Sequence, residues 1–592
     1  MKKLKLKSAL LSTAAVLVVT AALTSNGLVA AKNDDNNGNG NNKSAADAVD
    51  HLKTKTPIKH LVVIFQENVS FDHYFGTYPN ALNVEGEPVF EPARNTQRDI
   101  NNLLSKPGLL DNNPNFTNAK NSPNQANPFR LDRTQAATAD QNHGDTAEQE
   151  AYDAGANDLF PLDTGNGTNG GAPGFGTKAQ VMGYYDGNTV TAFWNYAQNF
   201  AMSDNSYNDQ FGPSTPGAIN MFAGQTNGAV VVGTGPTISN SDGSLTLYSD
   251  IDPTGDACSN GGSGNTKTNT VSFTGKNIGD LLNAANIPWG SFMGGFNLNI
   301  QNGNGTSGCA RSSSGQAVPA TADYVPHHAW FQYYASTANL AHTRPASTKE
   351  IGHAGPANHA YDLNDFTAAV GAGNYPAVSF IKMPAYQDGH AGYSDPLDEQ
   401  TGVVNLINFL QQQPDWESTA VIIAYDDSDG WYDHAFAPNT GGTLHGSFDP
   451  QTNTHNSIDA LNGVGNCGTP GVTHVADGLS GQPVNGRCGP GTRQPFLVIS
   501  PYAKKNYVSH VQTTQASIPQ FIEDNWLDGR QRIGGGSFDA TTGSIMDMFD
   551  FNKSNATKLI LDPSTGLVVR QAGNNGDHDH DHDDHGNHGD HH

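Results

Sequence analysis

Short, continuous apolar runs that end in polar loops constrain this chain most. His60 to Phe65 reads H-L-V-V-I-F with no polar alternation, so a strand built from it needs cover on both faces. Val378 to Ile381, Ala420 to Tyr425 (A-V-I-I-A-Y) and Phe496 to Ile499 (F-L-V-I) have the same character. Helical patterns lie between them. This alternation predicts an α/β fold, with a mostly parallel central sheet flanked by helices. Gly/Asn/Ser/Thr-rich stretches around Thr164 to Gly176, Ser239 to Thr270 and Asn439 to Gly491 read as long loop insertions. Only 15% of the 592 residues are charged, while glycine (66) and proline (32) abound, which suits a globular body with long ordered loops. No internal repeat is visible.

The two ends differ from the body. Lys2, Lys3, Lys5 and Lys7 precede an apolar stretch from about Ala9 to Leu23, and Val29, Ala30 and Ala31 offer a cleavage site before Lys32. Residues 1–31 therefore read as a signal peptide, too short in its apolar part for a membrane anchor. Residues 32–57 read as a disordered spacer, 58–572 as the catalytic body and 573–592 as a His/Asp-rich tail. The tail contains nothing apolar to bury. Its imidazoles and carboxylates suit metal capture, or simply a solvated end. No later segment is apolar enough to span a bilayer, so the mature protein is expected to be soluble and exported. A formal net charge of −26 repels phosphate backbones and argues against nucleic acid as a partner. The cysteines, Cys258, Cys309, Cys467 and Cys488, contain no C-x-x-C pair. In an oxidising compartment, proximity in sequence pairs Cys258 with Cys309 and Cys467 with Cys488.

The chemistry-bearing residues follow the strands. Gln66-Glu67-Asn68 succeeds the first, offering a carboxylate and an amide oxygen where α/β sheets bind ligands. Asp426-Asp427-Ser428-Asp429-Gly430 succeeds Ala420 to Tyr425. Converging carboxylates repel unless a cation neutralises them, so Asp426 and Asp427 suggest a metal; a solvated acidic turn is the other reading of that segment. Asp429, Asp433 and His434 read as supporting loop residues rather than ligands. The string F-G-P-S-T-P-G-A reads as a helix start, with Ser214 or Thr215 capping and Pro216 in the first turn. Such an end offers unpaired N–H groups to a phosphoryl group, though a hydroxyl there can cap the helix and do nothing more.

Together the strings Q-E-N-x-S-F-D-H-Y-F-G, F-G-P-S-T-P-G-A and Y-D-D-S-D-G-W-Y-D-H resemble the bacterial phosphoesterase family of acid phosphatases and phospholipases C. That family belongs to the alkaline-phosphatase-like superfamily. Asp323 to His328, Tyr386 to Asp395 and Arg493 to Ala503 extend the likeness over nearly the whole body. The resemblance implies a divalent metal ion held by Glu67, Asn68, Ser214, Asp426 and Asp427, with Ser214 as nucleophile. It places His328 and His390 around the phosphate, and His143 more loosely as a third. His327 matches either a supporting partner or a loop residue. Val69 stands where the family often has arginine. The phospholipase C branch tends to have threonine followed by Pro-Asn-Arg, whereas this chain has Ser214 followed by Thr215-Pro216-Gly217-Ala218, which favours the phosphatase branch.

The implied mechanism is a two-step phosphoryl transfer through a phosphoserine, with a protonated His328 or His390 serving the leaving oxygen. The expected substrate is a small phosphoester or a phospholipid. A phospholipase C cleaving phosphodiesters is the alternative within the enzyme class. A secreted metal-binding surface protein is the alternative outside it, and the intact set Glu67, Asn68, Ser214, Asp426 and Asp427 argues against that reading.

Overall fold

The computed structural model describes residues 49–167, 176–259, 269–437, 448–449, 454–455, 476–554 and 558–572. The expected leader, the His/Asp-rich tail, Cys467 and the middles of the three insertions lie outside the described residues. Strand labels below refer to the main sheet, and helix labels to the helices that bear on the site.

The apolar runs form the centre of an eight-stranded sheet. Its strands are β1 (His60–Gln66), β2 (Ala201–Ser203), β3 (Trp289–Met293), β4 (Ala360–Asp362), β5 (Val378–Lys382), β6 (Thr419–Tyr425), β7 (Phe496–Ile499) and β8 (Tyr507–Ser509). Their order across the sheet is β4-β3-β5-β1-β6-β7-β2-β8. β1 lies between β5 and β6, with Leu61 opposite Val378 and Val63 opposite Ile422, both pairings parallel. Every residue of β1, β5 and β6 is buried, as two-sided cover by helices requires. The exception to the parallel pattern is β7, which runs antiparallel to both β6 and β2. Its apolar composition cannot report direction. The reversal brings the segment before β7, with Arg493, to the same edge as the ends of β1 and β6.

The flanking helices include α1 (Thr191–Asn199), α2 (Ser214–Ala223), α3 (Leu363–Gly371), α4 (Pro396–Gln411) and α5 (Ser517–Trp526). α1 packs against α4, and α2 against α5. All of α2 is buried. The spacer was expected to reach residue 57, yet its last residues are tied to the body. Thr56 donates through its N–H and its hydroxyl to Asn525 Oδ1, at 2.9 and 2.8 Å, and Val49 is buried. Cys258 and Cys309 are bridged as expected; Cys488 is also disulfide-bonded. Among the described residues no helix is long and apolar enough to cross a membrane.

Candidate active site

The ends of β5, β1 and β6 lie side by side, so the residues that follow them meet. Past the strands the loops stay joined: the Asp426 N–H donates to the Gln66 carbonyl at 3.1 Å, and Val69 N–H to the Asp427 carbonyl at 2.9 Å. This zipper sets Glu67 and Asn68 against Asp426 and Asp427, all four buried. Asn68 sits in the left-handed region at φ 46°, a conformation asparagine tolerates better than most residues and one that clusters at functional sites. The Asp426 carbonyl is held by Asn208 Nδ2 at 3.0 Å and Gln515 Nε2 at 2.6 Å.

Helix α2 enters from the side. A capping role was expected for Ser214 or Thr215, but the cap position is Pro213, which has no side-chain cap bond. Asp250 takes the work instead: its Oδ1 accepts from the Thr215 N–H at 2.8 Å and the Thr215 hydroxyl at 2.9 Å. That carboxylate also claims one of the N–H groups expected to await a phosphoryl group. Ser214 is thereby free of the helix, and its Oγ lies 3.0 Å from both Glu67 Oε2 and Asp427 Oδ2. The approach depends on Gly217, where a Cβ would fall 2.0 Å from the Asp426 carbonyl oxygen. Glu148 braces the same region, accepting from Gly212 N–H at 2.9 Å and the Ser428 hydroxyl at 2.7 Å.

Three imidazoles surround the carboxylates, each anchored through Nδ1. His328 Nδ1 is 2.9 Å from Glu67 Oε1, and His390 Nδ1 is 2.6 Å from the Ala391 carbonyl. His143 Nδ1 is 2.9 Å from the Gln141 carbonyl and 3.1 Å from Asp429 Oδ1. Asn68 Nδ2 reaches His143 Nε2 at 3.5 Å. The Nε2 atoms of His328 and His390 are thus the nitrogens open to a ligand. The expected proton donors, His328 and His390, are both pushed down by burial, His328 to about 3. His143 goes the other way: against its burial, Asp427 and Asp429 hold it well above the ordinary value.

The carboxylates are in tension. Burial raises Glu67, but His328 and Lys382 beside it win and hold it well below the usual range. Burial and then Glu67 push Asp426 well up, while burial lifts Asp427 to about 7 against the pull of His143. Converging acids of this kind repel one another unless a cation neutralises them. Asn68 Oδ1 is buried without a hydrogen bond. Three carboxylates, an amide oxygen and a hydroxyl make an all-oxygen donor set that fits a divalent cation.

Asp433 and His434 stand apart from this set. With Asp72 and Arg493 they form a buried ion cluster: Arg493 Nη2 is 3.0 Å from Asp433 Oδ1 and 3.2 Å from Asp72 Oδ1, and His434 Nδ1 is 2.6 Å from Asp72 Oδ2. The cluster ties the loop after β1 to the loop after β6 and to the start of β7. His327 Nδ1 is 3.7 Å from Asp252 Oδ1, and its carbonyl accepts from the Tyr333 hydroxyl at 3.1 Å. Sequence reasoning missed Lys382, Asp388, Asp250 and Glu148. Lys382 carried a signal: it is the charged residue ending the third of the adjoining apolar strands. Asp388 lies in the Y-Q-D-G-H string, and its carboxylate comes close enough to Glu67 and His328 to share a metal-sized site.

An α/β sheet whose strand ends gather carboxylates, a hydroxyl and imidazoles suits a hydrolase of phosphoric esters. The Phosphoesterase family matches residues 58–527, and the chain belongs to that family. Among curated proteins it is similar to phospholipase C A of Mycobacterium tuberculosis, 24% identical over 76% of this chain and 69% of that protein. It is also similar to the hemolytic phospholipase C of Pseudomonas aeruginosa, 24% identical over 85% of this chain and 57% of that protein. The chain thus spans under two thirds of the Pseudomonas enzyme. Among solved structures it matches murine ectonucleotide pyrophosphatase/phosphodiesterase 5, with a TM-score of 0.27 and 11% identity, over 61% of this chain and 95% of that one.

Proposed function

We propose that this chain is a secreted, metal-assisted phosphoric ester hydrolase of the acid phosphatase kind, acting through a phosphoserine at Ser214. One observation carries the reading: the Ser214 hydroxyl, relieved of capping by Asp250, sits 3.0 Å from two buried carboxylates. Glu67, Asn68, Ser214, Asp426 and Asp427 would hold a divalent cation. When bound, such an ion supplies positive charge at the reacting oxygens.

The protein's own groups do the rest. Ser214 Oγ gives its proton along its 3.0 Å contact to Asp427 Oδ2, the partner that burial disposes to take one, and attacks phosphorus in line with the leaving oxygen. The Oγ–P bond forms as the bond to the leaving oxygen breaks. His143, the imidazole whose charge its neighbours favour, donates the proton that the leaving oxygen needs from Nε2, which exchanges its 3.5 Å contact with Asn68 Nδ2 for that oxygen. His328 and His390, kept neutral by burial, give their Nδ1–H to Glu67 and to the Ala391 carbonyl, so each Nε2 offers a lone pair that accepts from a phosphoryl hydroxyl or from the attacking water. Water then attacks the phosphoserine, phosphate departs, and Ser214 regains a proton. Export rests on the lysine-rich, apolar leader of the sequence.

The second reading, a phospholipase C, is favoured by the names of the curated relatives. Against it stands the string after Ser214, where this chain has Pro216-Gly217-Ala218 in place of the Pro-Asn-Arg of the phospholipase C branch. Purified protein should be assayed on a phosphomonoester, a bis-ester and phosphatidylcholine, with and without chelator. The proposal expects fastest turnover on the monoester, abolished by chelator and restored by a divalent ion. Preference for phosphatidylcholine would install the second reading, and inertness toward all three with metal supplied would defeat both.

A further inference from the structure

Lys382 ends β5, beside the ends of β1 and β6, and only 1% of it is exposed. Its ammonium contacts Glu67 Oε1 and lies 3.2 Å from Asp426 Oδ2. A buried ammonium is costly unless paired, and this one is paired with two of the residues read above as holding the cation. Among the described residues no other lysine or arginine forms an ion pair with Glu67, Asp426 or Asp427.

We propose that Lys382 is a built-in cation that positions Glu67 and Asp426 and sets the charge of the ion their site accepts. The proposal rests on the reading of Glu67, Asp426 and Asp427 as the cation-binding carboxylates. Ionised, as ligands must be, these carboxylates carry three negative charges, and Lys382 cancels one. Without Lys382 the same donors would present one more uncancelled negative charge, which favours an ion of higher charge. The ammonium also keeps Glu67 and Asp426 from spreading apart before an ion arrives, since like charges this close repel strongly in a buried site. Lys382 is on this account a positioning residue: it acts through the ligands and makes no contact with substrate.

The test compares Mn2+ with Tb3+ on the full chain, by equilibrium dialysis of each ion alone and in competition. Site binding is the component that disappears in Asp426→Asn with Asp427→Asn, which removes contributions from the tail. In wild type the site should take one Mn2+ per chain. In Lys382→Met the ratio of Tb3+ to Mn2+ affinity should rise by at least ~10-fold, the direction Coulomb's law requires when one positive charge beside the site is removed. Lys382→Gln, which keeps hydrogen-bonding capacity without charge, should behave like the methionine variant. A purely structural lysine would weaken both ions alike and leave the ratio unchanged. An unchanged ratio in both variants overturns the proposal. If the metal-free variants fail to fold, competition is run on protein refolded with Mn2+, and the ratio decides as before. A wild type without any component lost in the double variant would instead refute the reading of the carboxylates themselves, and this inference with it.

Discussion

Replacing Ser214 by alanine separates catalysis from folding. The hydroxyl is buried and makes its two contacts with Glu67 and Asp427, so its loss removes at most a hydrogen bond to a charged group, worth about 1.5–3 kcal/mol. The loss also leaves two acids facing each other without the hydroxyl between them. Helix α2 itself should be indifferent, because Asp250 and not Ser214 caps it. Thr215→Ala is the matched control: it deletes the 2.9 Å bond to Asp250 but keeps the backbone N–H bond to the same carboxylate, a net cost of about 0.5–1.5 kcal/mol. The two variants should therefore melt within a few degrees of each other. Their turnover should differ widely: Ser214→Ala should fall by at least ~10³-fold, because the covalent step is lost outright, while Thr215→Ala should keep most of its rate. Thermal unfolding and steady-state kinetics on a phosphomonoester measure both. Acid quench with labelled substrate should trap phosphate on the peptide containing Ser214. Near-normal turnover of Ser214→Ala, or label on Thr215, would refute the nucleophile assignment.

Gly217→Ala should lower stability by about 1–3 kcal/mol through overpacking and reduce turnover, because the new methyl meets the Asp426 carbonyl at 2.0 Å and pushes α2 off the strand end. Gly371→Ala, at the end of α3 with open space around it, should be neutral or slightly stabilising in the same melts. Glu399 is raised to about 8 by burial, and its two oxygens accept from the Tyr74 and Tyr425 hydroxyls at 2.7 and 2.8 Å. A raised acid contributes stability that is fully present below its ordinary value of 4.5 and is lost as pH climbs through about 8. Glu399→Gln should therefore flatten the fall of melting temperature between pH 5 and 9; a parallel, equally steep fall would contradict the protonated carboxyl. Deleting residues 576–592 should leave turnover on a small phosphoester within about twofold when metal is supplied, since the candidate site is built wholly from residues of the body. A collapse that added metal cannot reverse would place the tail in the site.

The sequence by itself determined what covalent neighbours can determine. β1, β5, β6 and β7 lie where unbroken apolar runs put them, to within a residue at either end, because such runs can be satisfied only in a covered sheet. Glu67 with Asn68, and Asp426 with Asp427, are adjacent in the chain, so each pair arrives together wherever its strand ends. Tertiary structure decided which ends meet. Only the order β5-β1-β6 brings Lys382 to Glu67 and Asp426 across 315 and 44 positions of chain, and only the antiparallel run of β7 delivers Arg493 to Asp72 and Asp433. It also decided what Ser214 touches. A serine at a helix start can cap, but Asp250, distant in sequence, took the cap and left the Ser214 hydroxyl to Glu67 and Asp427. The charge of each histidine was likewise settled by its surroundings: burial outweighs Glu67 at His328, while Asp427 and Asp429 outweigh burial at His143. Apolar patterning is a property of a segment, but ionisation and nucleophile placement are sums over neighbours that only the folded chain assembles.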